Sequence, residues 1–147
     1  ITYSISFAHP LLRHMSHTLR VTPESFVDEI APARTFGFLK DYEMLRRKGL
    51  ALGGSLDNAV VLGDTGVLNN ALRFEDEFVR HKVLDCLGDI YLLGAPVRGH
   101  MPTRYAGHAL NHALVRALAA DPGAWEYVTV VEEDSEKEAI PALAALG

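Results

Sequence analysis

The stretch Phe74–Leu92, FEDEFVRHKVLDCLGDIYL, decides how this chain folds and where its chemistry sits. It is the longest helical signal in the sequence. Stepping about 100° per residue places Val79, Val83, Cys86, Leu87 and Ile90 on one stripe, which reads as the core face. His81, Asp85 and Asp89 recur every four residues on the side turned away from that stripe, with Phe78 and Lys82 close by. A neutral imidazole and a carboxylate one turn apart can reach a single divalent ion, and a tetrahedral zinc site with an open position needs one further protein ligand. Spacing alone is weak evidence, because His and Asp on a polar helix face are usually just solvated.

Downstream of this helix the sequence predicts a strand over Val97–Met101 and a second helix over Gly107–Ala120. Leu110, Ala113, Leu114, Ala117 and Leu118 form its expected buried stripe, and His108 stands near its start. His112, one turn on, makes a His–His metal pair formally possible, but no carboxylate accompanies it on that helix. A further strand is expected over Trp125–Val131, and residues 132–147 read as a tail. Upstream, Thr2–Phe7 and His17–Val21 read as a hairpin. Thr22-Pro23-Glu24-Ser25 supplies a helix cap, a proline in the first turn and an early acid, so a short helix runs to about Ala31 and stops at Pro32. Ala33–Phe38 is a connection, Leu39–Lys48 a helix closed by Gly49, and Ala59–Leu62 a strand between the Gly53-Gly54 and Gly63–Gly66 turns. These pieces make a small β-α-β insertion at about 38–61. The fold class is α+β, two helices packed on a mainly antiparallel or mixed sheet.

The chain has 147 residues, 48% of them hydrophobic, which is the size of one globular domain. A formal net charge of −5 gives no basic footprint for nucleic acid. The one cysteine, Cys86, excludes an intrachain disulfide and suits a reducing cytoplasm. No stretch approaches the roughly 20 apolar residues of a transmembrane helix, and the start lacks the pattern of an export signal, so a soluble cytoplasmic protein is expected. A chain that opens at Ile1 already within a strand reads as a piece of something longer.

Several blocks carry a family resemblance: Ala33-Arg-Thr-Phe-Gly-Phe38, Leu52-Gly-Gly-Ser55, Leu72-Arg-Phe-Glu-Asp-Glu-Phe-Val-Arg-His-Lys82 with Asp85, and Gly107-His-Ala-Leu-Asn111. In order and in content they resemble the C-terminal domain of the UDP-3-O-acyl-N-acetylglucosamine deacetylases, zinc enzymes of lipid A synthesis. The resemblance implies a zinc ion held by two histidines and an aspartate, with His81 and Asp85 as this chain's share. The remaining histidine and a general-base glutamate belong to an N-terminal half outside this sequence, on the same polypeptide or a separate chain. It implies that His108 is the catalytic histidine and Asp89 its carboxylate partner, and that Thr35 helps hold the oxyanion. Phe36 would contact the sugar and Lys82 would lie near the diphosphate of a UDP-linked, acylated N-acetylglucosamine.

The β-α-β insertion resembles an acyl-chain passage whose lining positions fall at Tyr42, Leu45, Ala51, Ser55, Ala59 and Val61, with Tyr42 bulkier than the aliphatic residue expected there. By the same resemblance, residues 1–131 are the domain that supplies half of the catalytic site. Ordinary alternatives stand beside these roles: Phe36 as core, Lys82 as a solvated charge, Thr35 as a loop hydroxyl, the insertion as a small satellite core. For the whole chain, the competing reading is a non-catalytic module that binds an acyl chain or another protein. If the other half covers the helix face bearing His81 and Asp85, an apolar patch around Phe36, Phe38 and Phe78 is expected to be exposed without it.

Overall fold

The computed structural model describes residues 1–69 and 71–129. Strand β1 (Thr2–Ile5) lies at the centre of a three-stranded sheet, antiparallel to β2 (Met15–Thr18) and parallel to β5 (Pro102–Arg104). After β2 comes a short helix, α1 (Pro23–Ser25), capped by the Thr22 hydroxyl and continued by a single π turn over Phe26–Ile30. A second sheet pairs β3 (Thr35–Phe38) in parallel with β4 (Ala59–Leu62), and the crossover between them is α2 (Leu39–Arg47). The two remaining helices are α3 (Glu77–Ile90) and α4 (His108–Ala120). The class is α+β, with the expected β-α-β unit in place.

Period-two burial in the strands and the stripe on α3 build one core. Tyr3 and Ile5 of β1 and Val60 and Leu62 of β4 point inward and meet Phe78, Val79, Val83 and Cys86 of α3. Fully burying a side chain of this kind stabilises the fold by about 1.5–3 kcal/mol. Leu12, Leu19 and Ile30 close the same cluster. Of the stripe on α3, Leu87 alone is only half-buried. Phe78, expected nearer the polar side, is fully buried.

Several sequence expectations are corrected. The second hairpin strand is Met15–Thr18, earlier than 17–21, because the register pairs Ile5 with Met15 and Thr2 with Thr18. Residues 33–38, expected as a connection, contain β3, since Thr35–Phe38 finds a full partner in Ala59–Leu62. Gly94, at φ 80°, ends the 3-10 turn after α3, and the chain needs 95–101 to return to the sheet, so β5 begins at Pro102 rather than Val97. No strand forms over residues 125–129, where the Trp125 indole N–H instead donates to the Leu118 carbonyl at the end of α4 (2.9 Å). Residues 130 and 131, and the tail at 132–147, lie outside the described residues.

The largest correction concerns α4. Leu110 and Leu114 are 59% and 40% exposed, Ala113 and Ala117 are exposed too, and the side turned to α3 carries Asn111, His112 and Val115. A buried carboxylate on α3, described below, draws the polar side of α4 inward. The apolar exposure expected at Phe36, Phe38 and Phe78 is also elsewhere. Phe78 is buried, and Phe36 packs edge-on against both Phe7 (5.9 Å between centroids) and Phe78 (5.2 Å). No helix among the described residues is long and apolar enough to cross a membrane.

Candidate functional site

The outward side of α3 supplies the first half of the site. The His81 Nδ1 lies 3.1 Å from the Ala33 carbonyl. A carbonyl can only accept, so Nδ1 carries a proton, and in the neutral ring Nε2 is the nitrogen that keeps its lone pair. That Nε2 stands 3.3 Å from Asp85 Oδ1, and both side chains are largely buried. Two ligands at about 2.0–2.1 Å from one tetrahedral ion stand about 3.3–3.4 Å apart. The pair therefore fits a metal ion, with the Ala33 carbonyl orienting the histidine ring as such ligands need. Asp85 Oδ2 accepts from Lys82 Nζ at 2.6 Å.

An open pocket of about 400 Å³ lies against this pair. Its walls bring together Thr35, Phe36, His81, Lys82 and Asp85 with Tyr105, Ala106 and Gly107. Thus five residues singled out in the sequence, from Thr35 to Asp85, come from β3 and α3 onto one opening.

The start of α4 supplies the second half. The buried Tyr3 hydroxyl donates to the Ala106 carbonyl (2.8 Å) and the Tyr105 N–H to the Ser4 carbonyl (2.9 Å), which ties the turn before α4 to β1. His108 then projects from the first turn, mostly exposed, with Nδ1 2.8 Å from Asp89 Oδ2 and Nε2 3.9 Å from Asp85 Oδ2. Asp89 also accepts from Asn111 Nδ2 (2.8 Å) and from His112 Nε2 (3.0 Å). Burial pushes the Asp89 carboxyl up, but hydrogen bonds from Asn111, His108 and His112 outweigh it and hold it below the ordinary carboxylate range. Asp89, His108 and His112 also offer three ligand atoms within 4.8 Å of one another. Here, however, both carboxylate oxygens already accept at hydrogen-bond distances from three donors, whereas His81 Nε2 is free to ligate.

The insertion residues are placed differently. Tyr42 and Leu45 lie on α2, Ala59 and Val61 on the half-buried side of β4, and Ala51 and Ser55 in the exposed loop between them. None of the six lines the pocket beside His81. Tyr42 accepts from Arg46 Nη1, and Ser55 organises its own turn through Asn58 and Asp57. Ala51 has φ 55°.

Sequence reasoning missed Asn111, the Ala33 carbonyl, and the buried Arg34–Glu77 pair next to Thr35. Asn111 had a signal available, since it falls three residues from His108 on the same side of the helix.

Comparison with known proteins gives the family. Residues 1–120 match the family described as LpxC, UDP-3-O-acyl N-acetylglycosamine deacetylase. A UDP-3-O-acyl-N-acetylglucosamine deacetylase from Campylobacter fetus is 51% identical over 93% of this chain and 47% of its own length. Those of Syntrophotalea carbinolica and Oleidesulfovibrio alaskensis are 53% and 55% identical over 87% and 81% of this chain, and 42% and 39% of theirs. The chain thus spans less than half the length of these relatives. With the match running through β1, the β-α-β unit and both site-bearing helices, the chain belongs to the LpxC family of UDP-3-O-acyl N-acetylglycosamine deacetylases.

Proposed function

We propose that this chain supplies the C-terminal half of the active site of a zinc-dependent deacetylase acting on UDP-3-O-acyl-N-acetylglucosamine in cytoplasmic lipid A synthesis. The observation that carries the reading is His81 Nε2, bare and 3.3 Å from Asp85 Oδ1, on a pocket shared with Thr35 and Phe36. His81 and Asp85 hold the metal, and a third ligand and a general base come from the N-terminal half. When bound, zinc lowers the pKa of a water and polarises the acetamide carbonyl.

The chain's own residues do the rest. The Thr35 hydroxyl donates to the oxygen that gains negative charge as water adds to the carbonyl. His108, held by the ionised Asp89, gives a proton to the sugar nitrogen as the C–N bond breaks, releasing acetate and a free amine. Phe36 packs on the sugar, and Lys82 moves from Asp85 toward the diphosphate as a flexible point charge. Tyr42, Leu45, Ala51, Ser55, Ala59 and Val61 form the side of the β-α-β unit along which the acyl chain lies. The N-terminal half docks on the outer side of α4, where Leu110 and Leu114 stand exposed.

The test joins the two halves, as one polypeptide or as two chains. The expected result is one zinc per assembled protein, turnover only after assembly, and a fall in kcat of about 10²–10⁴ on His108→Ala with ligand binding retained. Full turnover by this chain alone, or ligand binding with no chemistry in the assembled protein, would overturn the reading in favour of a different catalytic set or a pure binding module.

A further inference from the structure

Glu77 is a carboxylate with no exposed side-chain area, one helical turn before His81. It accepts from the Arg34 backbone N–H (2.9 Å), Arg34 Nε (2.8 Å) and Nη2 (3.0 Å), and the Arg73 backbone N–H (2.7 Å). The same guanidinium donates to the Ala71 carbonyl, and Arg73 Nη1 donates to the Pro32 carbonyl (2.6 Å). Pro32 is thereby tied to Arg73, just before α3, and Arg34 to Glu77, the first residue of α3, with one residue held between them. The middle one is Ala33, whose carbonyl accepts from His81 Nδ1, and the next residue after Arg34 is Thr35 on the pocket wall. A buried ion pair contributes little net stability over an apolar replacement, so stability alone does not account for this one. The bond network offers a further reason: a side chain that fixes a backbone carbonyl fixes the ring that the carbonyl holds.

We infer that Glu77, acting through Arg34, is a positioning residue for the metal site, holding the Ala33 carbonyl against His81 Nδ1 so that Nε2 alone faces the ion. This inference rests on His81 being a ligand. Glu77 touches neither substrate nor metal, and its effect is carried entirely by the backbone of 33–35.

The experiment uses the full-length protein with both halves present and compares the unsubstituted form with Glu77→Gln, Glu77→Asp and a control, Leu12→Ala. Leu12 is buried in the turn before β2 and lies outside the 32–34 segment. Three quantities are read: the melting temperature, the zinc dissociation constant by chelator competition, and the His81 ring signals in a long-range ¹H–¹⁵N spectrum of the metal-free protein. Both Glu77→Gln and the control should lower the melting temperature. Only Glu77→Gln should weaken zinc binding, by about tenfold, and shift His81 from the Nδ1–H tautomer to a mixture, with Glu77→Asp partly restoring both. Zinc affinity and His81 signals unchanged in Glu77→Gln would overturn the inference while leaving the zinc reading intact. Absence of stoichiometric zinc in the unsubstituted protein would overturn both.

Discussion

Asp89 collects three donors from α4 on one carboxylate, and that single residue sets the direction in which His108 points. Removing the buried donor tests this. Asn111→Ala should cost about 1–3 kcal/mol in urea unfolding, since it strips a hydrogen bond from a charged, largely buried acceptor. In the assembled protein it should lower kcat more than it raises KM. Glu77 gives a pH signature. Burial pushes its carboxyl up, but hydrogen bonds from Arg34 and Arg73 outweigh this and leave it below its unfolded value. Its stabilisation is therefore complete above the unfolded carboxylate pKa, about 4.3, and is lost as pH falls through the lower folded value. Urea midpoints measured across that acid range should fall for the unsubstituted chain and stay flatter for Glu77→Gln. His81, Asp85 and Asp89 stood out in the sequence because one helix fixes their spacing, and the roles expected of them came from the family resemblance rather than from that spacing. Glu77 did not, because its partner lies 43 positions away and no local pattern encodes such a pair; Asn111 had only its spacing from His108 to mark it, with its acceptor 22 positions away.

Elements were legible where they carry their own punctuation. Leu39–Arg47 ends where Gly49 takes φ 72°, and the helix bounds were read within a residue. Gly49→Ala should cost about 1–2 kcal/mol, the strain of a Cβ in the left-handed region, as a lowered melting temperature with unchanged helical circular dichroism. Helices α2 and α3 and strand β4 were read from period and turn chemistry, while β3 passed for a connection. The faces of α4 were misread. Leu110, Leu114 and Ala117 look like a core stripe, and hydrophobicity gives no way to tell a stripe buried within this chain from one that meets something else. The polar side won the contact with α3 because Asp89 cannot be left buried without donors. Segment 125–129 forms no strand and instead rests on the end of α4 through the Trp125 indole.

For the whole molecule, the exposed leucines of α4 are the feature with the widest reach. Leu110→Glu together with Leu114→Glu should keep this chain's fold and weaken its capture of the N-terminal half by at least tenfold in a binding assay. Equal capture by the double variant would move the docking surface elsewhere. The asymmetry between the two helices goes further than docking. α3 buries seven of its fourteen residues, and α4 buries one of thirteen. Amide hydrogen exchange follows the free energy of local opening, so α4 should exchange as an early, separate unit while α3 exchanges only on global unfolding. His108 rides on the helix that opens first. In the separated chain the histidine's placement is then a fluctuating property, and a partner that covers α4 would slow that exchange and fix the catalytic geometry in the same event.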